Sequence, residues 1–224
     1  MKPAALIFDV NETLLDLSSA KPALASLFNG QESLVELWFS MLLHHSLVES
    51  SIGGKHNFSE IGAATAQMVA YGKGISLSFE HALHVIKDAM TTLPAYDDAA
   101  KALKTLSQSG IKLIALSNSP TKGLRTQLEY AGIINYFNDV LSVEDAGRYK
   151  PHADVYHWAC DKIGVAVENC MMVAAHGWDV AGAANAGMRT VFVEREGKCQ
   201  YPLSAEASFS VSSLDELADI VLNQ

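Results

Sequence analysis

The residue of this chain best suited to chemistry is an aspartate at the end of an apolar run. Residues 6–8 read Leu-Ile-Phe, Asp9 follows them directly, and Asn11, Glu12 and Thr13 then interrupt the apolar pattern. This pattern is typical of a buried strand that ends in a loop. An acid at the carboxyl end of a parallel strand lies where open α/β sheets bind their ligands, and a carboxylate there can act as a nucleophile. A strand-terminal aspartate can also hydrogen-bond its own turn, so the segment alone leaves a structural role open.

Three further loops carry polar side chains after predicted strands. Loop 117–119 reads Ser-Asn-Ser, loop 148–151 reads Arg-Tyr-Lys-Pro, and loop 174–179 reads Ala-Ala-His-Gly-Trp-Asp. Taken singly, each of these residue types has an ordinary role in a turn, at a helix N-cap or on the surface. Loops at the carboxyl ends of parallel strands converge, however. The sequence therefore predicts one pocket that combines a nucleophile, a hydroxyl, a cation and a second acid: Asp9, Ser117, Lys150 and Asp179.

The rest of the chain alternates between strand and helix patterns. Strands are predicted at 4–8, 111–116, 139–142, 171–175 and 190–193, and helices at 97–109, 121–131, 152–163, 179–186 and about 213–222. Residues 17–93 read almost entirely as helix. Since strands that alternate with helices form a parallel sheet with both faces covered, we predict a doubly wound α/β core. Its two segments are residues 1–15 and 95–224, with a helical insertion at 16–94.

Composition and charge argue against several classes of partner. The 224 residues carry a formal net charge of −9 without a Lys/Arg cluster, which disfavours nucleic acid and anionic membranes. We find no signal-peptide pattern and no apolar run of membrane-spanning length. Cys160, Cys170 and Cys199 form no C-x-x-C pair, so we expect reduced thiols and a cytoplasmic protein. His81 and His84 lack a third metal-ligating residue and are interpreted as helix surface.

The segment 33–50 carries apolar residues on two sides of its predicted helix. One stripe includes Trp38 and Leu42, and the other includes Phe39 and Leu43. A helix that is apolar on two sides is expected to be buried on two sides. One side would face the helical insertion itself, and the other would face either a cleft or a second copy of the chain, so a homodimer is one of two explanations.

Four motifs together resemble the haloacid dehalogenase superfamily, which contains phosphatases as well as dehalogenases. They are Phe-Asp-Val-Asn-Glu-Thr at 8–13, Leu-Ser-Asn-Ser at 116–119, Tyr-Lys-Pro with Asp-Val-Tyr within 149–156, and Trp-Asp-Val-Ala-Gly-Ala with Ala-Gly-Met within 178–188. They occur in the family's order, and the helical insertion lies where that family carries a cap. The resemblance implies a Rossmann-like core with a helical cap domain. Within the superfamily the chain looks most like the type II (S)-2-haloacid dehalogenases.

Two departures from the phosphatase pattern favour dehalogenation. The phosphatases usually carry a general acid two residues after the nucleophile, where this chain has Asn11. A halide leaves without a proton, so an amide is compatible with dehalogenation there. The phosphatases also usually carry an Mg²⁺-binding acid where this chain has Ala175, and Mg²⁺ prefers carboxylates. We therefore predict an enzyme without a cofactor.

Two departures concern the dehalogenases themselves. Type II dehalogenases resemble each other in having an arginine on the first long cap helix that helps to take up the halide. By position that site is Phe39 here, and no arginine occurs between residues 1 and 124. His176 stands where the family often has asparagine. Both changes bear on which small anionic substrate the chain accepts.

The resemblance implies roles for the residues of the motifs. Asp9 would displace halide from C2 of a small (S)-2-haloacid, forming an aspartyl ester, and Asp179, oriented by Lys150, would activate the water that hydrolyses it. Thr13 would fix the Asp9 carboxylate. The substrate would be surrounded by Val10, Asn11, Phe39, Ser117, Asn118, His176 and Trp178.

Two alternatives remain open at the level of sequence. The first is an Mg²⁺-dependent phosphatase of the same superfamily, in which Asp9, Asn11 and Asp179 would hold the metal. The second is a ligand-binding protein that has lost turnover, for which the missing cap arginine is the best argument.

Overall fold

A six-stranded sheet forms the centre of the protein. The computed structural model describes residues 2–223. The strands are β1 (Ala5–Phe8), β2 (Lys112–Ser117), β3 (Asp139–Ser142), β4 (Cys170–Ala174), β5 (Arg189–Val193) and β6 (Phe209–Val211). Every neighbouring pair is parallel, and the spatial order is β3-β2-β1-β4-β5-β6. The predicted parallel α/β fold is therefore confirmed.

The strand order places the carboxyl end of β1 at a functional position. The chain leaves β1 towards β2 on one side and later returns to β4 on the other, so the order reverses between β1 and β4. Open α/β sheets bind their ligands in the crevice at such a reversal point. Asp9 follows β1 directly, and its backbone N–H donates to the carbonyl oxygen of Val173 in β4 at 3.0 Å.

Helices cover the sheet and form the segment inserted after β1. The insertion contains α1 (Lys21–Ala25), α2 (Ser33–Ile52), α3 (Phe58–Tyr71) and α4 (Phe79–Thr91). The remaining helices are α5 (Asp97–Ser107), α6 (Thr121–Tyr130), α7 (Ala153–Ile163), α8 (Gly177–Asn185) and α9 (Leu214–Leu222). The predicted helices and strands of the core are confirmed to within about two residues at most ends.

One strand was absent from the prediction. Residues 209–211 form β6, which pairs with β5 at the edge of the sheet. Three residues are too few to display an alternating pattern, and only Val211 of the three is buried. The sixth strand is defined by its pairing and not by its own sequence.

Helix α2 faces the interior with only part of its apolar surface. Trp38 and Leu42 are buried, and the indole N–H of Trp38 donates to the carbonyl oxygen of Gly62 in α3 at 2.8 Å. Leu37 and Leu47, by contrast, remain more than 40% exposed. Phe39 and Leu43 of the second stripe pack against the core and line a cavity, as expected for a side that faces a cleft, and a homodimer stays a prediction.

The remaining sequence predictions concern membranes, thiols and metals. No helix within residues 2–223 is long and apolar enough to cross a membrane. All three cysteines are free thiols; Cys160 and Cys170 are buried with their sulfur atoms 3.4 Å apart, and Cys199 is exposed. His81 and His84 lie exposed on α4, as predicted.

Candidate active site

Both carboxylate oxygens of Asp9 are held by hydrogen bonds. Oδ1 accepts from Nζ of Lys150 at 2.8 Å, and Oδ2 accepts from the hydroxyl of Thr13 at 2.7 Å. Nδ1 of His176 lies 3.1 Å from Oδ2. Thr13 is itself fixed, because its hydroxyl oxygen accepts from the backbone N–H of Ala175 at 2.9 Å. The carboxylate is therefore oriented by three loops that follow three different strands.

Lys150 bridges the two acids that the sequence singled out. Its side chain is 1% exposed, and Nζ donates to Asp9 Oδ1 at 2.8 Å, to Asp179 Oδ2 at 2.6 Å and to the carbonyl oxygen of Leu116 at 3.1 Å. An ammonium group has three donors, and all three are used. The cation is thus paired and fully hydrogen-bonded, as a charge buried this deeply requires.

Asp179 lies behind Lys150 and does not reach the cavity in front of Asp9. It is fully buried, and its Oδ1 accepts from the hydroxyl of Tyr156 at 2.6 Å while Oδ2 accepts from Lys150. Tyr156 was not among the predicted site residues, although it belongs to one of the motifs that carried the resemblance. In this arrangement Asp179 orients Lys150 and balances its charge.

A second series of linked charged side chains, formed by His176, Glu12 and Lys198, reaches Asp9 from the other side. Nε2 of His176 lies 3.0 Å from Oε2 of Glu12, and Oε1 of Glu12 accepts from Nζ of Lys198 at 2.7 Å. The imidazole ring stacks on Trp178, with ring centroids 5.1 Å apart. Glu12 adopts a left-handed backbone conformation, with φ 59°, which turns its side chain to this position in the loop after Asp9. Glu12 and Lys198 were not predicted as site residues.

The electrostatic environment keeps Asp9 ionised and His176 protonated. Burial raises the pKa of the Asp9 carboxyl, but Lys150 and His176 lower it by more, so the net pKa is well below its usual range. Burial disfavours the imidazolium of His176, but hydrogen bonds to Asp9 and Glu12 raise its pKa to about 9. The pKa of Glu12 is lowered against the effect of burial by His176 and by Lys198. Burial raises the pKa of Asp179.

The loop that carries Asp9 is anchored by the far end of the chain. The guanidinium of Arg195 donates to the carbonyl oxygen of Thr13 at 2.9 Å and to Asp98 at 2.8 Å, and it lies 4.0 Å from the ring centre of Tyr96. The planar guanidinium thus donates to a backbone carbonyl and to a carboxylate, and it also stacks on an aromatic ring. Arg195 and Lys198, both in the connection between β5 and β6, together fix the loop.

A cavity of about 20 Å³ lies in front of Asp9. It is lined by Asp9, Asn11, Phe39, Leu43, Phe58, Ser117, Asn118, Lys150, His176 and Trp178. The structure therefore brings most of the predicted site residues to one cavity. Thr13 and Asp179 are buried beside it, and Val10 lies in the core, so only the backbone of Val10 could meet a substrate.

The amide side chains of Asn11 and Asn118 differ in whether they keep a polar atom free to bind a ligand. Nδ2 of Asn11 donates to the hydroxyl of Ser119 at 3.2 Å, and its Oδ1 accepts from Nε2 of Gln127 at 3.2 Å, so this amide is part of a hydrogen-bonded wall. Oδ1 of Asn118 accepts from the backbone N–H of Lys150 at 3.1 Å. Its Nδ2 donates to none of the residues 2–223 and is available to a ligand in the cavity.

Comparison with known proteins identifies the family. A sequence model of the haloacid dehalogenase-like hydrolases matches residues 3–187. The chain belongs to this family. It is also 30% identical over 219 residues to (S)-2-haloacid dehalogenase 1 of Pseudomonas sp. (strain CBS-3), covering 97% of this chain and 96% of that one. The resemblance read from the four motifs is thereby confirmed.

Solved structures of dehalogenases share the fold of this haloacid dehalogenase-like hydrolase. L-2-haloacid dehalogenase from Xanthobacter autotrophicus with chloropropionic acid covalently bound has a TM-score of 0.91 at 23% identity, over 98% of both chains. At that identity the likeness shows the shared fold. A dehalogenase with an intermediate complex has a TM-score of 0.89 at 26% identity and covers 100% of this chain and 99% of that one.

The residues of this family member do not fit the Mg²⁺ of the phosphatase alternative. A magnesium ion would need the oxygens of Asp9 and Asp179, but Nζ of Lys150 already bridges them and supplies the positive charge. Asn11 is committed to Ser119 and Gln127. Within residues 2–223 no group of three or more His, Cys, Asp or Glu side chains is arranged to hold a metal ion.

Phe39, which the resemblance matched to the cap arginine of the dehalogenases, lies at the cavity. It lies on α2 and lines the cavity, its ring centre 6.4 Å from that of His176, so the position facing the substrate carries no cation. The protonated ring of His176 brings a positive charge to the same cavity from the core side. When His176 is protonated, the carboxylates of Asp9, Glu12 and Asp179 are balanced by the cations of Lys150, His176 and Lys198. When His176 is neutral, the site carries a net negative charge.

We expect binding of an anionic substrate to weaken as pH rises through 9. Loss of the His176 proton leaves the site net negative, which repels a carboxylate, and the KM for 2-chloropropionate should rise roughly tenfold between pH 8 and pH 10. Because the pKa of His176 is raised from 6.5 to about 9, its contribution to the free energy of unfolding is complete below pH 6.5 and is lost through pH 9.

Steady-state kinetics across this range on the wild type and on His176→Asn provide the check. The asparagine variant lacks the titrating group, so its KM should stay flat over the same interval. Parallel pH profiles for the two proteins would show that His176 does not set the charge of the site.

Proposed function

We propose that the protein hydrolyses a small (S)-2-haloacid to the 2-hydroxy acid through an ester on Asp9. The observation that carries the proposal is the state of Asp9: it is ionised, oriented through both oxygens by Lys150 and Thr13, and faces a cavity with an apolar side formed by Phe39, Leu43, Phe58 and Trp178. The names of the relatives, (S)-2-haloacid dehalogenases, support the same reaction class.

The first half of the reaction uses Asp9 as the nucleophile. One of its carboxylate oxygens attacks C2 from the side opposite the halogen, so the carbon–halogen bond breaks, halide leaves with the electron pair, and C2 inverts. The hydroxyl of Ser117 and nearby backbone N–H groups would hold the substrate carboxylate. Nδ2 of Asn118 is free to donate to the departing halide. Position 39 offers no arginine for this purpose, because it is a phenylalanine. Phe39 and Trp178 exclude water from the reacting carbon.

The second half hydrolyses the ester, and two residues could activate the water. Asp179 was expected from the resemblance, but both of its oxygens are paired and it does not line the cavity. His176 lines the cavity, lies beside the Asp9 carboxylate and is oriented by Glu12. Once Asp9 is esterified it no longer carries the charge that favours the imidazolium, so the pKa of His176 falls and the ring releases a proton to solvent. The neutral ring can then take a proton from the water that attacks the ester carbonyl. In this chain, unlike family members with asparagine at this position, geometry thus favours His176 as the base, with Asp179 holding Lys150.

Isotope labelling tests the ester route directly. During many turnovers in ¹⁸O-water, the water oxygen enters the Asp9 carboxylate when the ester is hydrolysed at its carbonyl carbon, and it passes to product in later turnovers. Mass spectrometry of the peptide containing Asp9 should therefore show the label. Product formed without label in Asp9 would mean that water attacks C2 directly and that the proposed route is wrong.

Mass spectrometry also distinguishes between His176 and Asp179 as the base. In His176→Asn the ester should accumulate, seen as a protein mass increased by the 1-carboxyalkyl group of the substrate, while kcat falls about 10² to 10⁴-fold. Asp179→Asn serves as the comparison, since it disturbs Lys150 and should slow ester formation. Accumulated ester in Asp179→Asn and none in His176→Asn would assign the base to Asp179 instead.

A further inference from the structure

A second cavity lies beside the reaction cavity. Its volume is about 490 Å³, within the range of small-molecule sites, and it opens between the helical insertion and α6. We call it the side cleft. Its apolar wall is formed by Trp38, Leu42, Phe58, Ile86 and Met90.

The side cleft and the reaction cavity share a wall one side chain thick. Phe58 lines both. Helix α2 contributes Trp38 and Leu42 to the cleft and the adjacent residues Phe39 and Leu43 to the reaction cavity. The rest of the wall is the hydrogen-bonded layer of Asn11, Ser119 and Gln127 described above. Because Phe58 is the apolar side chain that lines both spaces, a rotation of its ring would join them.

The reaction cavity by itself is small. At about 20 Å³ it has room for about one water molecule, so a long alkyl chain needs further space. Rotation of Phe58 would open that space towards the side cleft. The cleft beyond is lined by apolar side chains suited to methylene groups.

We propose that the side cleft binds the alkyl chain of longer 2-haloacids, with Phe58 as the gate that determines substrate length. This inference rests on the proposed function, because the halogen-bearing carbon of the same substrate must lie at Asp9. Burial of a methylene group favours binding roughly fourfold. The ratio of kcat/KM for 2-bromohexanoate to that for 2-bromopropionate should therefore exceed about tenfold in the wild type.

Gly123 offers a clean way to fill the cleft. It lies on α6 and lines the cleft, and a Cβ built there meets no heavy atom within 4 Å. Gly123→Trp should lower kcat/KM for 2-bromohexanoate about tenfold and leave that for 2-bromopropionate within twofold. Gly123→Ala is the matched control and should behave as the wild type. Thr126→Trp, at an exposed position of the same helix that also lines the cleft, repeats the test independently of the glycine.

Widening the gate should act in the opposite direction. In Phe58→Leu the preference for 2-bromohexanoate over 2-bromopropionate should increase, whatever happens to the absolute rates. Equal effects of Gly123→Trp and Thr126→Trp on both acids would overturn the inference, as would bromide release from 2-bromopropionate alone in the wild type. Absence of bromide from both acids would overturn the proposed function, and this inference with it.

Discussion

Replacing Asp9 with asparagine should abolish multiple-turnover halide release while leaving the fold intact. An amide is a poor nucleophile and lacks the charge that attacks C2, so we expect kcat to fall by about 10⁵-fold or more. Asparagine has the same shape and can still hydrogen-bond Thr13, so the far-UV circular dichroism should be unchanged. The measurement is halide release from (S)-2-chloropropionate.

Asp161→Asn is the matched control for the Asp9 variant. Asp161 is exposed on α7, away from the cavity, and its replacement should not change turnover. Mass spectrometry must exclude slow conversion of the new asparagine back to aspartate. Halide release by a verified Asp9→Asn protein within tenfold of the wild-type rate would remove Asp9 from the role of nucleophile.

Replacing Lys150 with methionine should impair both stability and turnover. Methionine fills a similar volume but leaves the carboxylates of Asp9 and Asp179 buried without their shared cation. Removing one partner of a buried ion pair lowers the free energy of unfolding by about 3–5 kcal/mol. Without the ammonium, the charge and the orientation of Asp9 change together, and kcat should fall by about 10²–10³-fold.

Urea denaturation and initial rates measure the two effects of the Lys150 variant. Lys162→Met, at an exposed position of α7, is the control and should be neutral in both. Adding Asp179→Asn to Lys150→Met removes one stranded carboxylate, so it should restore part of the stability and none of the activity. A Lys150→Met protein as stable as the wild type would mean that the two carboxylates are not both ionised in the folded state.

The convergence of Asp9, Lys150 and Asp179 could be predicted because it follows from topology. Asp9 directly follows β1, Lys150 lies in the connection after β3, and Asp179 lies in the first turn of the helix after β4. Parallel strands deliver such positions to one edge of the sheet. The hydrogen-bond partners of these groups depend on side-chain directions that a strand pattern does not contain. Tyr156 is an example: it stands in a recognisable motif, but its bond to Asp179 required the packing of α7 against α8.

The contacts that Lys198 and Arg195 make with the Asp9 loop could not be predicted, because they join distant parts of the sequence. Lys198 and Arg195 lie in an irregular connection without periodicity, and their partners Glu12 and Thr13 are more than 180 positions away in the sequence. Gln127 is an intermediate case. It falls one turn after Leu124 on α6 and is buried with it, so a polar residue on the apolar face of a helix was a usable signal.

The position of β1 also governs when the protein can become active during its synthesis. Asp9 leaves the ribosome well before its partners, because the two strands that flank β1 are made more than 100 and 160 residues later. The cations that fix its loop, Arg195 and Lys198, come later still. A nascent chain therefore carries Asp9 without the groups that ionise and orient it until residues 195–198 have been translated. Because these contacts are long-range, the final assembly of the site should be a slow step that follows the folding of the helical insertion.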